Sequence, residues 1–158
     1  MWTWTRGLRW TLRSRLAEHP RLYLPIARRK YPDAVLSADT ELLIEGFTRS
    51  AVTFATIAFQ LAQPEPVRVA HTLHAAGHVM AAARRGIPSL VIIREPEETV
   101  LSAVVREPYV GLERALAAYT RFYAKLQALR GSIVVARFDT VVHDFGSVIR
   151  AVNQRFGT

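Results

Sequence analysis

The sequence predicts an α/β sandwich with a mostly parallel central sheet. Short apolar runs rich in branched residues alternate along the chain with longer segments of helical periodicity. One run, Leu42-Leu43-Ile44-Glu45-Gly46, passes through a short polar turn straight into an apolar helical segment. Another, Ser89-Leu90-Val91-Ile92-Ile93, is apolar without alternation, as a strand buried on both faces requires.

Residues 5–17 read as an amphipathic helix, with Leu8, Leu12 and Leu16 recurring at i+4 and Arg9, Arg13 and Arg15 mostly on other faces. Pro20 stops it. Residues 21–29 form a second helical piece around Pro25, and Tyr31-Pro32-Asp33 is a turn. The first strand covers residues 41–46 and the helix after its loop 50–62, before Gln63-Pro64-Glu65-Pro66 breaks the chain. A second strand over 67–70 leads to a helix over 74–85 that stops near Gly86. After the third strand, over 89–93, Pro96 with Glu97 and Glu98 behind it marks a helix N-terminus: proline fits the first turn, and acids oppose the dipole. That helix runs to Val105. A long helix over 111–129 has Leu112, Leu116, Tyr119, Tyr123 and Leu126 on one side, and Gly131 ends it. Residues 133–136 are the fourth strand and 140–156 the last helix.

The length of 158 residues suits one core, here with a basic helical arm over 1–40 ahead of an α/β domain over 41–158. Cysteine is absent, which excludes disulfides and thiolate–metal sites. Apolar runs stay short of the ~20 residues that span a bilayer. The basic, aromatic N-terminus lacks the apolar run and cleavage site of a signal peptide, so a cytoplasmic protein is expected. Eight cations against one acid, Glu18, give residues 1–30 a charge of +7 out of the total +8. Three readings of this arm stand: a helix docked on the sheet or a partner subunit, an amphipathic element on an anionic membrane through Trp2, Trp4 and Trp10, and non-specific nucleic-acid binding, the least favoured.

The turn Phe47-Thr48-Arg49-Ser50-Ala51 joins a strand end at Gly46 to a helix beginning around Val52 and Thr53. Unpaired N–H groups and the positive dipole end of such a helix suit a phosphate or sulfate group. The turn is not a Walker A motif: with Gly46 as first glycine, Ala51 replaces the second, Val52 replaces the lysine, and only Thr53 fits. An ordinary β–α turn with an incidental arginine is the competing reading. A second constellation runs from Arg94, at the end of a buried strand, through Pro96 to Ser102. Open α/β sheets bind ligands at such strand ends, and an arginine fork with a serine hydroxyl suits a phosphate. The plainer reading pairs Arg94 with Glu97 or Glu98. His71 and His74 are candidate bases, since imidazole titrates near neutrality. His19, His78 and His143 are read as structural.

Together these features resemble the sulfotransferases that use 3′-phosphoadenosine 5′-phosphosulfate (PAPS), in a bacterial-type form. In that family a 5′-phosphosulfate loop of the form Pro-[Lys/Arg]-Ser-Gly-[Thr/Asn]-Thr follows the first strand; Thr48-Arg49-Ser50-Ala51-Val52-Thr53 occupies its register. The family's 3′-phosphate motif has an arginine at a strand end, a proline two residues on and a serine eight residues on, matched by Arg94, Pro96 and Ser102. Residues 67–74 resemble the strand that ends in the catalytic histidine, which falls on His71 or His74. Arg137-Phe138-Asp139-Thr140 resembles a later strand that usually reads Tyr/Phe-Glu-Asp. The resemblance covers about residues 41–157. It implies a three-layer fold like that of P-loop nucleoside triphosphate hydrolases, PAPS as co-substrate without a metal, and sulfuryl transfer to an acceptor hydroxyl. It assigns Gly46, Thr48, Arg49, Ser50, Ala51, Val52 and Thr53 to the 5′ end, Arg94 and Ser102 to the 3′-phosphate, and His71 or His74 with Arg49 to the chemistry.

The loop is degenerate: Thr48 stands for a proline, Ala51 for a glycine and Val52 for a polar residue. Relatives continue past the last helix with basic residues that help hold the 3′-phosphate. Ending at Thr158, this sequence carries an expectation of weakened binding. The alternative reading is therefore a sulfotransferase-like nucleotide-binding or interaction protein with little or no catalysis.

Overall fold

The computed structural model describes residues 2–157, with side chains from Thr5 onward. The Trp2 and Trp4 side chains, on which the membrane reading draws, lie outside the described residues.

The described strands form one parallel sheet in the order β2-β1-β3-β4. They are β1 (Leu42–Gly46), β2 (Val69–His71), β3 (Ser89–Ile93) and β4 (Val134–Arg137). In β1 the side chains alternate between two cores, which makes the molecule three-layered. Leu42 and Ile44, with Val69, Leu90 and Ile92, face α3 (Val52–Ala62), α7 (Phe138–His143) and α8 (Phe145–Phe156). Leu43, with Ala70 and Val91, faces α4 (Ala76–Arg84), α5 (Pro96–Arg106) and α6 (Leu112–Leu126).

The connection from β1 runs to β2 on one side and that from β3 runs towards β4 on the other. The strand order therefore reverses between β1 and β3, and a crevice opens above their carboxyl ends. Gly46 lets the strands meet there, since a Cβ on it would lie 2.7 Å from the Ile92 carbonyl oxygen.

The N-terminal segment forms α1 (Trp2–Leu16) and α2 (Pro20–Lys30). Both are docked, α1 on α6 and α2 on α4. Of the expected leucine stripe on α1 only Leu16 packs against a core: Leu8 is 44% and Leu12 59% exposed, whereas Gly7 and, just past the helix, Ala17 are buried and Trp10 packs against the core. Small residues win because the approach is close; a Cβ on Gly7 would sit 2.7 Å from the Tyr109 carbonyl oxygen. Ala17, Tyr23 and Ala27 join Val35, Leu73 and Ala75 in a third core, which ties both helices to the start of α4.

Helix α6 keeps the expected face at Tyr119, Tyr123 and Leu126 and departs from it in its first turns. Leu112 and Leu116 are about half exposed, and Ala115, Ala118, Tyr119, Phe122 and Leu126 make the core. The last helix is split, because the Asp144 side chain accepts a hydrogen bond from the Ser147 N–H and starts α8 anew. The second strand lies at residues 69–71 rather than 67–70.

Candidate functional site

The β1–α3 loop, the β2–α4 loop and the start of α5 converge at the crevice between β1 and β3. Four non-glycine residues among those described have positive φ: Arg49 (70°), Ala51 (63°), Thr72 (56°) and His74 (52°). All four lie in the two loops that follow β1 and β2. Backbone strain of this kind persists only where surrounding contacts over-determine it, and it concentrates at functional sites.

At His74 Glu45 supplies part of that determination. This carboxylate in an apolar strand is fully buried. Its Oε1 accepts from the Leu73 N–H at 2.8 Å and from His78 Nδ1 at 2.9 Å; its Oε2 accepts from the His74 N–H at 3.0 Å and the Gly46 N–H at 3.2 Å. His78 Nε2 accepts from the Leu36 N–H at 3.2 Å, so the proton of the neutral ring sits on Nδ1, facing Glu45. One carboxylate thus pins the backbone of the β2–α4 loop to the end of β1. The sequence marked it only as a lone acid between Ile44 and Gly46, and the reading of candidate residues passed over it.

The two candidate histidines differ in placement. His74 Nδ1 lies 2.9 Å from the Gly46 carbonyl oxygen. A carbonyl only accepts, so Nδ1 carries the proton and Nε2 keeps its lone pair. His74 lines a cleft of about 360 Å³ together with Thr48, Arg49, Thr53 and Arg106. His71 is not among the residues lining that cleft; its Nδ1 lies 2.8 Å from Thr72 Oγ1. Burial pushes the His71 imidazole below its ordinary pKa, with Glu45 opposing. Each of the three histidines near Glu45 has its own polar partner. Among the described residues no group of three or more His, Cys, Asp or Glu is placed to hold a metal ion.

The loop and the second constellation are joined through Arg49. Its Nε donates to Ser102 Oγ at 2.9 Å, and its carbonyl accepts from Arg94 Nη1 at 3.2 Å. Arg94 also pairs with Glu98 at 3.1 Å and stacks over the Phe138 ring at 4.2 Å. It lines a hollow of about 190 Å³ at the ends of β3 and β4, with Tyr119 and Arg137. The Arg94 carbonyl accepts from the Tyr119 hydroxyl at 2.6 Å, which fixes the strand end behind the guanidinium. Tyr123 does the same one turn on: its hydroxyl donates to the Ile92 carbonyl at 2.8 Å and accepts from the Phe47 N–H at 3.3 Å, and burial raises its pKa.

The remaining loop residues divide. Thr48, Ala51 and Thr53 line the 360 Å³ cleft. Ser50 is buried, and its hydroxyl donates to the Phe47 carbonyl. Val52 is also buried; it packs in the core under α3 and lines the same cleft. Ala51 caps α3 in the left-handed conformation, and the first intrahelical bond runs from the Ala55 N–H to its carbonyl at 3.0 Å. The N–H groups of Val52, Thr53 and Phe54 therefore have no acceptor within the helix. Arg106 is a cation of this cleft that motif reasoning missed. It follows Ser102 by one turn of α5, a spacing that could have flagged it.

No protein-family model matches the chain, and no curated protein matches it in sequence. Among solved structures its fold is similar to that of mouse sulfotransferase SULT7A1 complexed with PAP, with a TM-score of 0.56 at 11% sequence identity. The similarity covers 79% of this chain and 60% of that one. The chain has a sulfotransferase-like α/β fold.

Proposed function

We propose that this chain binds PAPS in the crevice between β1 and β3 and moves its sulfuryl group to an acceptor hydroxyl. The observation that carries the reading is the Arg49 junction, in which one loop arginine bonds Ser102 and, through its carbonyl, Arg94. The two stretches that resemble a 5′-phosphosulfate loop and a 3′-phosphate motif are thereby side by side, with His74 on the same cleft as Arg49. Residues 41–158 form the sulfotransferase-like unit in this reading, and residues 1–40 its arm.

PAPS supplies an activated sulfuryl group. The transfer forms a bond from acceptor oxygen to sulfur and breaks the bond from sulfur to the 5′-phosphate oxygen. His74, its Nε2 free, takes the acceptor proton. Arg49, Thr53 and the N–H groups at the start of α3 face the charge that grows on the departing phosphate. Ser50 acts indirectly, through the Phe47 carbonyl, by shaping the loop. Arg94 and Ser102 anchor the 3′-phosphate, which requires Arg94 to exchange Glu98 for the ligand.

That exchange and the left-handed Ala51 favour a second reading, in which nucleotide binds without turnover. Slow conversion of PAPS to the product nucleotide with water as acceptor, followed by chromatography, tests both. The transferase reading expects turnover above buffer, a drop of roughly 10²-fold or more in His74→Ala, and little change in His71→Ala. The absence of turnover, or equal loss in the two variants, would contradict it.

A further inference from the structure

We propose that the acceptor site is a trench walled by α1, and that the acceptor is a hydroxylated organic anion whose acidic group meets Arg6, Arg9, Arg13 and Lys30. The inference rests on the transferase reading and names the substrate class of the same site. From the loop cleft, Thr48, His74 and Glu107 lead into a hollow of about 140 Å³ walled by Trp10, Phe47 and Leu73. Trp10, Arg13 and Glu107 continue from there into a basic cleft of about 330 Å³, completed by Arg6, Arg9, Lys30 and Tyr109. Shared walls make these three spaces one path, with the free Nε2 of His74 near its start.

Chemistry changes along the path. Beside His74, Trp10, Phe47 and Leu73 give the walls an aromatic and aliphatic part suited to the body of a ring. At the far end four cations face one carboxylate, Glu107. Among the described residues none of Arg6, Arg9, Arg13 or Lys30 forms an ion pair, although Arg6 stacks on Tyr109 at 4.4 Å and Lys30 lies 5.2 Å from the Tyr31 ring centroid. Nearby Glu18 is committed to Arg121 at 2.7 Å. Converging like charges without partners repel, and an anion between them relieves that. The docking of α1 through Gly7, Trp10 and Ala17 creates the arrangement: it turns Arg6, Arg9 and Arg13, one turn apart, towards one cleft, while Arg15 lies elsewhere. The 3′-phosphate site lies apart from this end. The hollow that holds Arg94 shares no lining residue with the α1 clefts.

The test is calorimetric titration of the full chain with a matched pair, 4-nitrophenyl β-glucuronide and 4-nitrophenyl β-glucoside, which differ in one carboxylate. The glucuronide is expected to bind at least tenfold more tightly at low salt, with the gap narrowing as salt rises. Arg9→Ala with Arg13→Ala should erase the gap, and Arg15→Ala should leave it. Equal affinity, no binding of either sugar, or a gap that survives the double substitution would overturn the inference. Nucleotide binding is scored separately. If 3′-phosphoadenosine 5′-phosphate fails to bind, the transferase reading falls and the acceptor role with it; if the nucleotide binds and the sugars are not distinguished, only the acceptor class falls.

Discussion

At the scale of single residues, Ala51 shows how the loop departs from its expected chemistry. A φ of 63° is open to glycine and disfavoured for alanine, so the loop carries strain where the sulfotransferase pattern has a glycine. Ala51→Gly should stabilise the protein by about 1 kcal/mol in equilibrium urea unfolding, the gain in the folded state exceeding the added freedom of the unfolded chain. A loss of stability would mean that the Cβ packs usefully. The family pattern treats Ala51 and Val52 alike, as two altered loop positions; in the fold both line the cleft, but Val52 is buried in the core under α3 and Ala51 only half-buried against it. Glu45 is the opposite case, a residue whose role only tertiary structure reveals, because its four donors come from Gly46 and from three residues about thirty positions away. Glu45→Gln places an amide N–H₂ against groups that themselves donate, and should cost about 2 kcal/mol or more by thermal or urea unfolding. A variant within ~0.5 kcal/mol of the parent would contradict the assignment of Glu45 as the pin between the end of β1 and the β2–α4 loop.

At the scale of elements, strands were legible and helix faces only in part. The run Ser89-Leu90-Val91-Ile92-Ile93 is β3 to the residue, because a strand buried on both sides leaves a continuous apolar signature. In α1 and α6 the expected faces held only at their C-terminal ends, at Leu16 and at Tyr119, Tyr123 and Leu126, while Leu8, Leu12, Leu112 and Leu116 are exposed. Helices that approach closely use small residues at the contact, and Gly7, Ala17, Ala115 and Ala118 carry little hydrophobic signal in sequence. The split between α7 and α8 was readable in principle from Asp144-Phe145-Gly146-Ser147, a capping arrangement hidden inside an apolar periodicity. Docking of the arm makes a firm expectation. Deleting residues 1–30 removes Ala17, Tyr23 and Ala27 from the third core and uncovers Leu73 and Ala75, so the truncated chain should melt well below the full chain or aggregate. A soluble truncation with an unchanged melting temperature would show that α1 and α2 contribute nothing to the fold.

At the scale of the whole molecule, the fold class followed from alternation of strands and helices, and the three-layer parallel sheet agrees with it. The candidate site was readable as motifs but not as geometry. Spacing suggested Arg94 with Ser102 as a pair; in the fold Arg49 stands between them, bonded to one directly and to the other through its carbonyl. Spacing left His71 and His74 open; the fold puts His74, with a free Nε2, on the cleft. Both differences arise because the crevice is built where strand order reverses, a property of sheet topology that no local window contains. The same topology sets the central claim, that the strand ends hold a nucleotide bearing a 3′-phosphate. Calorimetric titration with 3′-phosphoadenosine 5′-phosphate and with AMP, without Mg²⁺, tests it most directly. Charge-assisted bonds from Arg94 and Ser102 are worth roughly 1.5–3 kcal/mol each, so the 3′-phosphate should tighten binding by about tenfold or more, and Arg94→Ala should remove most of that preference. Equal affinity for the two nucleotides, or a preference for ATP with Mg²⁺, would contradict it.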